Sequence, residues 1–185
     1  MHVGLLGLQG AFLDHIPHLR RIGVAHRIVR SPKELATIDC LIIPGGESTV
    51  MAKFLRAFDM VDELKRRIAA GMPVWGICAG AIVLARRVDR QPGALQVLPA
   101  SVTRNAYGRQ IDSVRIEIDI PVMQLAGYPA IFIRSPRIGH CDPSVRIHAL
   151  RDGDPVFVQH GHVMATTFHP ELNADDYFHR FFLDL

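Results

Sequence analysis

The chain has 185 residues, 49% hydrophobic and 21% charged, with a formal net charge of +3, which suits one globular domain with a full core. No apolar run approaches the roughly 20 residues a membrane helix needs, no basic signal-peptide start precedes the first strand pattern, and three cysteines fit a reducing cytoplasm better than a disulfide framework. The positive charges, at Arg20, Arg21, Lys65, Arg66, Arg67, Arg86, Arg87, Arg104 and Arg109, are scattered without interleaved aromatics and read as solvated surface, which argues against nucleic-acid binding.

Taken in chain order, residues 3–6 are a short apolar strand. Residues 11–22 are amphipathic, with Pro17 expected to bend or delay the helix. A second strand covers 24–29, and Ser31 with Pro32 opens a short helix as cap and first helical residue. Residues 40–43 are a third strand, followed by the loop Pro44-Gly45-Gly46-Glu47-Ser48 and a helix at 49–58. Asp59 is placed as the cap of a helix that runs to Ala70 and ends at Gly71. Residues 74–77 are a fourth buried strand, and the segment "GICAG" turns it into an apolar helix at 81–85. The second half offers strands at 101–104, 114–118, 130–133, 145–150, 156–159 and 163–168, then a helix at 174–183.

Strands and helices alternating at this spacing imply a parallel sheet covered on both faces. The expected fold is a three-layer α/β/α sandwich, its central sheet mostly parallel, with antiparallel strands added at an edge. The absence of repeats and linkers argues for a single domain over residues 1–185. Such sheets place their sites at the carboxyl ends of the strands. Gly7-Leu8-Gln9-Gly10, the Gly45-Gly46 loop and Cys78 all fall there.

Cys78 stands at a strand-to-helix turn with Gly76 and Gly80 two residues away on either side. A nucleophile elbow needs such small neighbours because its backbone is strained and closely packed. The amides that open the following helix favour a thiolate, and the Ala79 amide is placed to hold an oxyanion. Gly46 is the candidate for the second donor, although its loop can also be read simply as a helix cap. His169 is the candidate base, with Glu171 two residues on to orient it. Cys40 reads as core. A zinc site from His140, Cys141, His160 and His162 lacks ligand spacing, so no metal is expected.

The elbow and the downstream His-Pro-Glu resemble triad-type glutamine amidotransferases. "GLLGLQGAFLDH", "IIPGGESTVM", "RNAYGRQIDS", "FIRSP" and "FHPEL", in order across residues 4–172, are together similar to the glutaminase subunits of pyridoxal 5'-phosphate synthase. That resemblance implies Cys78 as nucleophile with His169 and Glu171 as its relay. It also implies glutamine binding by Gly46, Glu47, Ser48, Arg104, Ile133 and Arg134, and Arg109 has the weakest claim among the arginines. It implies no cofactor and a partner, a (β/α)₈-barrel synthase in a dodecamer-based assembly, that takes up the ammonia through a channel. Gln9 is the candidate for coupling docking to the oxyanion hole, and the first helix, interrupted at Pro17 and His18, is expected to face the partner. Three other readings stay open. They are a glutaminase serving another synthase, a non-catalytic scaffold, and a cysteine peptidase or γ-glutamyl hydrolase with an open cleft.

Overall fold

Cys40, Leu41, Ile42 and Ile43 are all buried, as are Val74, Trp75, Gly76 and Ile77. A strand with no exposed residue must be covered on both faces. The computed structural model, which describes residues 1–106 and 113–185, supplies both covers.

The first half runs β1 (His2–Leu6), a 3₁₀ turn (Phe12–His15), α1 (Ile16–Arg21), β2 (Ala25–Val29), α2 (Pro32–Leu35), β3 (Cys40–Ile43), α3 (Ser48–Ala57), α4 (Val61–Ala69), β4 (Val74–Ile77) and α5 (Ala79–Leu84). The second half runs β5 (Ala85–Val88), β6 (Gln91–Pro92), β7 (Leu98–Thr103), β8 (Ser113–Ile120), β9 (Leu125–Ile133), β10 (Arg137–Cys141), β11 (Arg146–Arg151), β12 (Asp154–His160), β13 (Val163–Thr166) and α6 (Tyr177–Leu183). Seven strands form the central sheet in the order β11-β12-β13-β4-β3-β1-β2. From β13 to β2 they are parallel, and β12 and β11 add an antiparallel edge.

Alternate residues of each strand serve opposite layers. Leu41, Ile43, Val74 and Ala165 pack with Leu35, Met51, Leu55, Leu64 and Ile68 of the helices α2 to α4. Cys40, Ile42, Trp75 and Met164 pack with Leu19 of α1, Phe178 and Phe182 of α6, and the β8–β9 hairpin. Trp75 is fully buried at the centre of the second layer, and its indole N–H donates to Thr166 Oγ1 at 3.2 Å. Truncating such a side chain to alanine costs about 3–5 kcal/mol.

The structure corrects several boundaries. Pro17 sits in the first turn of α1, so the helix is delayed behind a 3₁₀ turn and not broken. Ser31 caps α2 as expected, accepting from the Glu34 amide. Asp59 does not cap α4. It has a φ of +54° and closes the turn after α3, donating its N–H to Arg56 O. α4 begins after Met60 and carries Asp62 and Glu63 in its first turn, where their charge suits the helix dipole. α5 stops at Leu84, and Ala85 is already extended. The last strand ends at Thr166 and the last helix starts only at Tyr177. A second sheet, β10-β7-β5-β6, was not anticipated. β5 follows a helix without a turn and β6 is two residues including Pro92, so neither leaves an alternating pattern.

Candidate active site

The winding of the chain reverses at β1: β2 is added on one side of it and β3 on the other, all parallel. A crevice opens at such a switch point. The loops after β1 and β3 meet there, with the Ala11 amide donating to Gly45 O at 3.0 Å.

Cys78 follows β4 with φ +50° and ψ −98°, a conformation that costs about 1–3 kcal/mol and persists only where surroundings impose it. The Cys78 amide donates to Thr166 O at 2.7 Å, carrying the β4–β13 ladder one residue past the strand. A Cβ on Gly80 would collide with the Ile43 carbonyl, and one on Gly76 would come 2.6 Å from the Gly80 backbone. Only glycine fits at both positions. Cys78 is 7% exposed, and its Sγ lies 3.8 Å from Ile133 O.

His169 lies three residues beyond β13, held by its own amide, which donates to Ile131 O at 2.8 Å. The ring packs on Gly45, where a Cβ would stand 2.5 Å from Cε1. Nδ1 donates to Glu171 Oε1 at 2.7 Å, which fixes the tautomer that leaves Nε2 for the thiol. Nε2 is buried and has no hydrogen-bond partner among the described residues. Burial alone would lower the His169 pKa. Interaction with Cys78 and with Glu171 outweighs it and raises the value to about 10. Burial works equally against ionised Glu171, yet its pKa is lowered by the His169 hydrogen bond and by the charges of His15 and His169.

Two histidines stand behind Glu171. His18, expected on a partner-facing helix, is 3% exposed and donates from Nε2 to Glu171 O at 3.0 Å. Its Nδ1 lies 2.9 Å from Asp176 Oδ1. His15 is fully buried. Sequence reading missed both; the available signal was their spacing of three, which puts two polar rings on one helix face.

The rim is built from other elements. The Gln9 side-chain oxygen accepts from the Glu47 amide at 2.8 Å, and the same oxygen would stand 2.5 Å from a Cβ on Gly46, whose φ is +155°. Glu47 caps α3, its carboxylate accepting from the amides of Thr49 and Val50 at 3.1 and 2.8 Å. The cap reading of this loop therefore holds alongside its place at the site. Arg104 donates from Nε to Asp89 at 2.6 Å and from Nη1 to Thr49 Oγ1 at 2.9 Å. Arg109, with the rest of residues 107–112, lies outside the described residues.

Gln9, Gly46, Glu47, Ser48, Cys78, Ala79, Arg104, Ile133, Arg134, His169 and Glu171 all line one cavity of ≈ 480 Å³, together with Asp14, Asn105 and Leu172, which sequence reading did not single out. The other thiols lie apart: Cys40 is buried, which pushes its pKa up to about 12, and half-buried Cys141 packs on the core with Sγ 3.8 Å from Gly139 O. Among the described residues no three His, Cys, Asp or Glu side chains are grouped as metal ligands, and no helix is long and apolar enough to cross a membrane.

A doubly wound sheet that gathers a cysteine elbow, a histidine–carboxylate pair and a double-glycine loop around one cavity is the arrangement of a class I glutamine amidotransferase. A solved glutamine amidotransferase superposes with a TM-score of 0.92 at 39% identity, over 98% of this chain and 97% of its own. PurLQS from Thermotoga maritima, at 15% identity and a TM-score of 0.73, shares the fold. The chain belongs to the SNO glutamine amidotransferase family, whose model matches residues 5–185. Among its relatives are the pyridoxal 5'-phosphate synthase subunits PdxT of Thermotoga neapolitana and Herpetosiphon aurantiacus. Each is 45% identical over all of this chain, covering 99% and 100% of the relative.

Proposed function

We propose that this chain is the glutaminase subunit of a pyridoxal 5'-phosphate synthase, hydrolysing L-glutamine and passing ammonia to a synthase partner. The observation that carries the chemistry is the His169–Glu171 pair at 2.7 Å, with Nε2 left unpartnered in the cavity that holds the Cys78 elbow. Full-length similarity to PdxT subunits carries the choice of partner.

In this reading the Cys78 thiolate attacks the side-chain amide carbon of glutamine. The amides of Gly46 and Ala79 hold the oxyanion; Ala79 opens α5, so its N–H has no partner within the helix. His169 gives its proton to the departing ammonia, and a water deprotonated by the same ring hydrolyses the thioester. Arg104 and Arg134, which line the cavity, are assigned to the α-carboxylate of glutamine, and Gly46, Glu47, Ser48 and Ile133 to the other glutamine contacts. Gln9, braced on the Gly46-Glu47 backbone, is placed to transmit docking to the oxyanion loop. The partner is a (β/α)₈-barrel synthase in a dodecamer-based assembly, in the cytoplasm. Both packed layers share one central sheet, which supports a single domain over residues 1–185.

The test is glutamate release by wild type and Cys78→Ala, each with and without a synthase subunit. Release that needs the partner and vanishes in the variant supports the reading. Release that ignores the partner points to another synthase, and none under any condition refutes glutaminase activity.

A further inference from the structure

Glu171 has two carboxylate oxygens and His169 engages one. The other, Oε2, is buried and has no hydrogen-bond partner among the described residues, and the same holds for Nε2 of His15. A buried carboxylate oxygen without a donor is costly, and so is a buried ring nitrogen without a partner. The two unmet groups lie on neighbouring elements, since the 3₁₀ turn that ends at His15 packs against the turn Pro170–Leu172 that carries Glu171, and the charge of each residue bears on the pKa of the other.

One ring nitrogen of His15 is already engaged. Nδ1 lies 2.9 Å from His179 Nε2. Burial lowers the pKa of His15 to about 4, against the pull of Glu171, and that of His179 to about 2. Both rings are therefore neutral at neutral pH, each with one proton. In the tautomer pair that leaves a donor for Glu171, His179 Nε2–H donates to His15 Nδ1 and the His15 proton rests on Nε2. Trp75 packs edge-on against both rings, at 5.7 and 5.2 Å, and His18 stacks on His179 at 4.2 Å, so neither ring is free to turn. Among the described residues the other titratable groups around the cluster are His169 and, beyond it, Cys78, reached through Glu171; Tyr128, which feels the Glu171 charge; and Asp176 with Arg21, reached through His18.

We propose that His15 is a positioning residue for the glutaminase reaction: its Nε2–H, through one bridging water, holds Oε2 of Glu171, so that Cys78, His169 and Glu171 are backed by His15 and His179. This rests on the glutaminase reading above and goes beyond its triad. A carboxylate held by donors on both oxygens stays ionised and keeps one orientation, which is what the imidazolium of His169 requires.

The experiment compares wild type, His15→Phe and His15→Gln, each assembled with a synthase subunit, in glutamate release across pH and in labelling of Cys78 by 6-diazo-5-oxo-L-norleucine. Phenylalanine keeps the packing and removes the donor; glutamine restores an N–H near the position of Nε2. His15→Phe should lower kcat about tenfold, with KM within about twofold. Without that donor Glu171 protonates more readily, so the acid limb of kcat/KM should move up by about one pH unit. His15→Gln should recover kcat to within about threefold, with the wild-type acid limb. Wild-type kcat and pH profile in His15→Phe would overturn the assignment, as would a His15→Gln enzyme as slow as His15→Phe. Should His15→Phe fail to fold, His15→Met, which also lacks the donor, takes its place: an acid limb shifted upward supports the proposal, and an unchanged one overturns it. Wild type that neither releases glutamate nor labels at Cys78 refutes the glutaminase reading itself, and the assignment falls with it.

Discussion

The two sides of the cavity are held by different physics. On the reacting side Cys78, His169 and Glu171 are 7%, 7% and 4% exposed, and their positions follow from strand ladders, glycine contacts and buried rings. On the rim, Arg104 is held by an ion pair to Asp89 whose side chains are 43% and 34% exposed, and Glu47 by a cap on a surface helix. Exposed ion pairs contribute roughly 0–1 kcal/mol, whereas a buried charged hydrogen bond contributes about 1.5–3 kcal/mol. Chemistry is thus assigned to groups that cannot move, and recognition to groups that a substrate's own charges can re-pair.

The sharpest break of that contrast is Cys78→Ala, which should cut glutamate release by about 10⁴-fold or more while the fold persists; circular dichroism beside the assay separates the two. Glu171→Gln should come next, at about 10³-fold in kcat. Its pH behaviour adds a second reading. The His169 pKa is raised above 6.5 to about 10, so the stabilisation it draws is complete below pH 6.5 and lost as pH rises through about 10. Without the carboxylate that pKa falls, and the alkaline loss of both activity and Tm should move to lower pH. An alkaline midpoint that stays in place would detach Glu171 from His169. Gly80→Ala, whose Cβ meets the Ile43 carbonyl, should cost about 1–3 kcal/mol in urea unfolding. Arg104→Ala should be mildest, raising KM for glutamine about tenfold with kcat within about twofold and under about 1 kcal/mol of stability lost. A fall in kcat as large as that of Glu171→Gln would erase the distinction between rim and reacting side.

Much of the reacting side is legible in the sequence because its signals are local. Four-residue apolar runs mark β3 and β4, glycines flank Cys78, and Pro170 alone separates His169 from Glu171. Of the three histidines behind the site, only the spacing of His15 and His18 is legible; their meeting with His179 is not. His15 and His179 are 164 residues apart, and nothing in either segment announces that α1 and α6 meet over Trp75. Glu47 shows a third case, in which one residue satisfies two readings that sequence sets against each other. Asp59 fails for a different reason: the residue type that caps a helix also tolerates the positive φ that ends one.

The place of β4 has a consequence for how the protein is made. β4 pairs with β3 on one side, about thirty residues earlier, and on the other with β13, where Gly76 lies opposite Ala165. A ribosome releasing this chain from its N-terminus exposes the cysteine strand as an open edge until residues 163–166 emerge, and His169 follows only after that. Such late, long-range pairing is slow and leaves an unpaired edge prone to association. Synthesis order thereby postpones the assembly of Cys78 with His169 until nearly the whole chain is out, so an unfinished chain carries the cysteine without its base.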